Sequence, residues 1–364
     1  MRLRLSTTIC LISISFLLLS FSPLELKFFH VVQMVPLSSD SYVSSLELKE
    51  ISTGAELAIE DFRKSQKCAF RTVFDLYSNN VDGIYKRVRE ISRASGRHVI
   101  VGFSRSDYAR LAALAAQKST VVGISVGASS TELQTINDNF YSVTPFWIAQ
   151  WHLLQLEINR IGCTKKQVLG IFDSSDHYSL GFKKAFREAG YHKILEIHSP
   201  EVAYQLSHNQ SDNPCIFLGM NFSSSHEILG QIFLNHWKGM ILGTGDWFYF
   251  SKELMIFVPK LKAAGIKMAS PTSWRWPPTL RAERFRSRFK ERVGRYPDPV
   301  AGFTYEATTL GLYHLCGLIR LKITTELEFS RLPLLRKYKG FSKTGNLDGT
   351  PYLIHYEELN VSGP

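Results

Sequence analysis

The chain has 364 residues, enough to bury a large core, and its length suggests two lobes. Hydrophobic residues make up 45% and charged residues 21%, with no low-complexity tract or Gly-rich linker, which sets aside a disordered chain. The formal net charge of +11 favours anionic surfaces in general, but Lys and Arg are scattered, which argues against a nucleic-acid partner.

Arg2 and Arg4 form a basic start, and residues 5–24 follow without a charge. That pattern is a secretory signal peptide, expected over residues 1–24. Ser20 and Ser22 are small residues at cleavage spacing, with Pro23 after them, and the apolar run is near the length that spans a bilayer. An uncleaved amino-terminal anchor is therefore the alternative to a cleaved leader. Cys10 lies too early in the apolar run to be a lipoprotein cysteine.

Beyond the leader, residues 28–36 (FFHVVQMVP) read as a buried strand and 37–52 as a polar loop. Helical spacing begins at Gly54 and runs to Phe62. Residues 71–77 form a second strand, and 81–95 a helix with Ile84, Val88 and Ile91 on one face. A third strand, 98–103, ends in Ser104, Arg105, Ser106 and Asp107, and an Ala-rich helix is expected over 108–118. The β-branched run 121–125 is a fourth strand. Small residues and hydroxyls follow it, Gly127 to Thr131, with Glu132 three residues after Ser129. Small side chains let a ligand approach the backbone, and the hydroxyls offer it hydrogen bonds. The same residues also suit a plain strand-to-helix turn with an N-cap.

Residues 139–145 interrupt the alternation, and a long helix is expected over 147–161. The rhythm then restarts, with strands over 168–173, 193–198, 215–219, 239–244 and 266–270, and helices over 180–189 and around 226–237. Residues 281–295 alternate charge with Phe285, Phe289 and Val293, an amphipathic surface helix. The stretch 301–319 follows, and 352–356 closes the chain as a strand. Alternating strands and helices predict parallel sheets covered on both faces.

Five cysteines lie far apart, with no CxxC pair and no His at zinc spacing. Buried thiols are the expectation, with room for one disulfide whose pair the spacing does not choose. No GxSxG, P-loop or HExxH is present, and no cofactor is expected. Asp173, Asp176 and His177 lie at a strand end where a ligand loop is expected rather than a catalytic cluster.

The order of several landmarks resembles the type I periplasmic solute-binding proteins, in particular the branched-chain amino-acid (leucine/isoleucine/valine) receptors. These are the stretch from Gly54 to Asp61; Ile100 to Ser106; Ile124 to Leu133; Tyr141 to Pro145; and Asp173 with Tyr178, Gly181 and Phe182. Tyr296-Pro-Asp, Tyr305-Glu-Ala and Phe341 to Asp348 complete the series. The resemblance spans roughly residues 28 to 360. It implies an α/β fold of two Rossmann-like lobes with parallel sheets joined by a three-strand hinge. One lobe would hold residues 28–145 plus 276–325, the other 146–275 plus 330–360.

By the same resemblance, Ser106 with Arg105 beside it follows the third strand, and Ala128 and Ser129 bind the ligand carboxylate. Tyr178 comes from the second lobe, although Ser179 stands where the family has Gly. Asn221, between Met220 and Phe222, falls where the family carries an aromatic. Asp246 would take the ligand ammonium. Arg105 either points to solvent or, if buried, must meet an anion, Asp107, Glu132 or the ligand, and in the last case an acidic solute is expected. The implied function is a periplasmic receptor closing on a small polar ligand, an amino acid or related carboxylate. Its partner would be the membrane permease of an ABC transporter or, as the alternative, a membrane sensor; an enzyme is the least favoured reading.

Overall fold

A computed structural model describes residues 26–35, 41–78, 81–128, 133–145, 147–208, 212, 214–245, 247, 258–272, 279–319, 321, 346–347 and 352–355. The first sheet begins with strand β1 (Lys27–Val35), helix α1 (Ser41–Ser65), β2 (Arg71–Ser78), α2 (Val81–Arg93) and β3 (Arg97–Gly102). It continues with α3 (Ser106–Ala115), β4 (Val122–Ser125), the short α4 (Leu133–Ile136) and β5 (Phe140–Pro145). Helix α5 (Trp147–Arg160) opens the second half, followed by β6 (Val168–Phe172), α6 (His177–Glu188), β7 (Ile194–Glu196) and α7 (Glu201–His208). Then come β8 (Cys215–Leu218), α8 (Phe222–Leu234), β9 (Met240–Leu242) and β10 (Lys267–Thr272). Helices α9 (Leu280–Val293) and α10 (Pro299–Leu315) precede β11 (Asn346–Leu347) and β12 (Tyr352–His355).

The strands form two six-stranded sheets, ordered β2-β1-β3-β4-β5-β11 and β7-β6-β8-β9-β10-β12. Every pairing is parallel except β10 with β12. The chain therefore passes from the first sheet to the second after β5, returns after β10, and crosses again between β11 and β12. Residues 139–145, where the alternation breaks, supply the last fully paired strand before the first of these passages. The stretch 330–360 touches both sheets, since Asn346 pairs with Ser142 of β5 and Tyr352 with Thr272 of β10.

Strands covered on both faces must be apolar throughout, and alternate residues of β3 show it. Val99 and Val101 join Phe29, Ile124 and Val143 beneath α1, α9 and α10, where Ala55, Phe285 and Phe303 are buried. Ile100 faces the other way, toward Ile84 and Val88 of α2 and Ala109 and Ala112 of α3. The second sheet repeats the plan. Ile216 and Leu218 pack with Val202 of α7 and Ile228 of α8, while Phe217 packs with Trp151 of α5 and Phe186 of α6. Gly54 lets α1 lie directly on α10, because a Cβ there would stand 2.6 Å from the Ala301 carbonyl oxygen.

Several boundaries depart from the sequence reading for local reasons. Helix α1 starts at Ser41, inside the expected loop, and continues unbroken into the Gly54 stretch. Helix α6 starts at His177 because the Asp176 side chain accepts from the Tyr178 N–H. In the same way Asn221 accepts from the Ser224 N–H and brings α8 forward to Phe222. Two arginines of α9 are tied to α1: Arg288 bonds Asp61 at 2.5 Å and Glu60 at 2.8 Å, and Arg292 bonds Glu60 at 2.7 Å.

The cysteines correct the expectation of buried thiols with at most one bridge. Cys68 is bonded to Cys316, with their Cα atoms 6.0 Å apart, and Cys163 to Cys215, with theirs 6.6 Å apart. Both separations suit a disulfide. Among the described residues no helix is long and apolar enough to cross a membrane.

Candidate functional site

In sheets of this strand order, ligands bind outside the carboxyl ends of strands where the order reverses. Here those points lie between β1 and β3 and between β6 and β8. Beyond β3 the chain turns at Phe103, a buried residue with φ of +63°, in the left-handed region. A bulky side chain there is strained. The turn is secured by Ser125, whose Oγ donates to the Phe103 carbonyl at 2.6 Å. It delivers Arg105 and Ser106 to the head of α3.

Arg105 is the residue before α3, and its guanidinium meets Asp107 at 3.0 Å and lies over the Tyr108 ring at 5.2 Å. The anion it requires is thus supplied by its own helix. Partial desolvation works against the cation, but Tyr108, Asp107 and Asp176 outweigh it and raise its pKa. Ser106 is buried as the first residue of α3. Ala128 is fully buried past the end of β4, donating its N–H to Ser125 Oγ at 2.9 Å and accepting from Ser142 Oγ at 2.5 Å. Ser129 and Asp246 lie outside the described residues.

On the opposite side, Asp176 is 5% exposed and sits at the head of α6. One of its oxygens accepts from the Tyr178 N–H at 3.1 Å, the other from Asn221 Nδ2 at 3.2 Å. Burial, aided by the nearby Asp107 carboxylate, pushes the Asp176 pKa up; Arg105 and the two N–H donors partly oppose it. Asp173 behaves differently. Its desolvation is outweighed by Ser175 and Ser224, which donate to it and keep it below the usual carboxylate range.

The two halves meet here. Arg110 Nη1, on α3, is 3.2 Å from His177 Nε2, on α6. Of the residues expected in the site, Arg105, Tyr178 and Asn221 converge on Asp176. Ser106 shares the helix head with Arg105, and Ala128 bonds Ser125 of β4 and Ser142 of β5. Asp176 itself was not among the expected ligand-binding residues, although its place two residues before Tyr178, as an N-cap, was a usable signal.

Gln150 was missed altogether. It lies in the first turn of α5, 3% exposed, in an apolar run where a lone amide stands out. Its Oε1 accepts from the Tyr178 hydroxyl at 3.3 Å and from the Gly245 N–H at 3.1 Å. A Cβ on Gly245 would come within 2.5 Å of that oxygen, so glycine is what lets the amide reach the backbone. Among the described residues no group of three or more His, Cys, Asp or Glu is placed to hold a metal ion.

Comparison with solved structures identifies the fold. A leucine-binding protein, LivK, of Thermotoga maritima superposes with a TM-score of 0.65 at 14% identity, covering 90% of this chain and 95% of its own. The branched-chain amino-acid transporter substrate-binding protein LivJ of Streptococcus pneumoniae, in complex with isoleucine, gives 0.66 at 15% identity, with 90% and 95% covered. A solute-binding protein of an ABC transporter from Rhodopseudomonas palustris BisB5, bound to 3,4-dihydroxybenzoic acid, gives 0.59 at 17% identity, with 80% and 81% covered. No family model and no curated protein sequence matches the chain. The fold is that of the type I periplasmic binding proteins.

Proposed function

We propose that the protein is an exported receptor that closes two lobes on a small polar ligand, an amino acid or related carboxylate, for ABC-type uptake. One lobe comprises residues 28–145 with 276–325 and the other residues 146–275, with 346–347 on the first and 352–355 on the second. The observation that carries this reading is the opposed charge at the strand ends. Arg105 and the head of α3 stand on one side, and buried Asp176, held by Asn221 and the head of α6, on the other. A zwitterion presents complementary ends to such a cleft, and helix heads supply N–H donors for its carboxylate.

In this reading Ser106, Ala128 and Ser129 receive the carboxylate, Tyr178 and Asn221 line the second wall, and Asp246 meets the ammonium. The work is binding rather than catalysis, and the partner is a membrane permease. Export to the periplasm agrees with the leader pattern and with two disulfides, which persist in oxidising compartments. The test is a thermal-shift screen of the purified protein against amino acids and short carboxylates. A true ligand at one hundred times its Kd stabilises the fold by about 2.7 kcal/mol. With that ligand in hand, Asp246→Ala should weaken binding by ~2–5 kcal/mol. A full panel without a shift would remove the reading.

A further inference from the structure

Three strands of the first sheet bring two histidines and an acid onto one diagonal. His30 of β1 stands abreast of Val73 of β2 and Ile100 of β3. Side chains two apart in a strand share a face, so Asp75 and His98 flank His30 on the same side of the sheet. Both rings are buried, His30 at 5% and His98 at 6% exposed, so each ring nitrogen has to be accounted for. His98 Nε2 lies 3.1 Å from the Ser95 carbonyl, which only accepts, and therefore carries a proton. A neutral His98 then turns the lone pair of Nδ1 toward His30 Nε2, 3.1 Å away, and His30 must donate.

The last nitrogen is the open one. His30 Nδ1 is buried, makes no hydrogen bond among the described residues, and faces Asp75 Oδ2 at 3.6 Å, an ion-pair distance. Without a proton it sets a lone pair against a carboxylate; with one it makes His30 a cation paired with Asp75. Burial raises the Asp75 carboxyl, but His30 and Arg87 outweigh it and keep it below the usual carboxylate range. The other charged groups beside the pair come from α2, where Arg87 lies 3.2 Å from Asp75 and 3.3 Å from Glu90.

We propose that the His30–His98 pair is a buried proton site that accepts one proton and rejects a second, and so acts as an acid-sensitive clasp between β1 and β3. The first proton comes from solvent, forms an N–H bond at His30 Nδ1 beside Asp75, and breaks no contact. The second has only His98 Nδ1 to bind, where it would set N–H against N–H. Burial above all holds His98 below the usual imidazole range. The unfolded chain thus charges His98 more readily than the folded one, and the second step favours separation of the strands. From this clasp β3 runs on to Arg105 and the head of α3, so the foot of a strand that carries the candidate site is the acid-sensitive end.

The experiment titrates the full chain with isotope-labelled imidazole nitrogens by NMR, from about pH 8 to about pH 5, with His30→Gln and His98→Gln supplying the assignments. His98 should hold its proton on Nε2 at the upper end, and His30 should gain its second proton before His98 does, in two separate steps. Asp75→Asn should weaken the first uptake by about tenfold, moving it down by about one pH unit. His98→Gln offers an amide oxygen to His30 and an amide N–H to Ser95, so it should keep the first step and lose the acid-induced fall in urea midpoint. If Asp75→Asn fails to fold, the order of protonation in the wild type decides alone. His98 protonated on Nδ1, His98 charging first, or both rings charging in one step would overturn the inference. So would a first step unmoved by Asp75→Asn, or an acid-induced fall retained in His98→Gln.

Discussion

The two disulfides make the sharpest stability test. Cys68 and Cys316 are separated by 248 residues and Cys163 and Cys215 by 52. Closing loops of these lengths in the unfolded chain removes entropy equivalent to roughly 5 and roughly 4 kcal/mol at 25 °C. The smaller loop lies inside the larger, but shortening the outer loop by the inner bridge changes a logarithm only slightly. The two contributions therefore nearly add. Together they are comparable with the whole stability of an ordinary domain, about 5–15 kcal/mol. The variants are Cys68→Ala/Cys316→Ala and Cys163→Ala/Cys215→Ala, followed by urea unfolding with fluorescence and circular dichroism. The first pair should lose the more, chiefly from the core of the first sheet, because Cys68 follows α1 and Cys316 ends α10. A loss below about 1 kcal/mol for the outer pair would refute the argument. So would a thiol titration of the denatured, unreduced protein that finds Cys68 or Cys215 free.

Two further outcomes are expected. His98 is buried, its Nδ1 3.1 Å from His30 Nε2, and burial above all holds its pKa below the usual imidazole range. The unfolded chain takes up that proton near pH ~6.5 and the folded chain only at lower pH, so this contribution is complete above that range. Stability should fall as the pH drops below it, by about 1.4 kcal/mol for each unit of depression. His98→Gln should flatten urea midpoints measured between pH 7.5 and 5.5, and an unaltered slope would place the titration elsewhere. Asn221→Ala should cost about 1 kcal/mol by uncapping α8. Asn221→Asp keeps the cap but sets a carboxylate against Asp176, so its melting temperature should fall further; equality with the wild type would deprive that contact of weight.

Burial on both faces wrote itself into β3 and β8 as continuous apolar runs, and those strands were legible to within a residue or two. Helix heads were less so. A cap is a single side chain bonding one N–H, and Asp176 and Asn221 moved α6 and α8 forward without altering the periodicity behind them. Helix α7 went unread because only Val202 and Leu206 of its short length are buried, too few for a repeat to show. The pairing of the cysteines was hidden for another reason. Cys68 and Cys316 become neighbours only because α10 returns to pack on α1, a contact that no local spacing encodes. The same holds for Gln150, whose two donors come from residues far along the chain.

The return of α9 and α10 to the first sheet bears on how the chain is made. One face of β1, β3 and β4 is sealed by α1 together with Ala282, Phe285, Phe303, Ala307 and Leu310, the last five contributed after β10 of the second sheet. A nascent chain ending before residue 280 would leave that face covered by α1 alone, and Cys68 would wait for a partner almost 250 residues downstream. One core of the first sheet thus stays unfinished until α9 and α10 are made, while the other, under α2 and α3, is complete by Phe140. For that face of the first sheet, α9 and α10 act as the keystone.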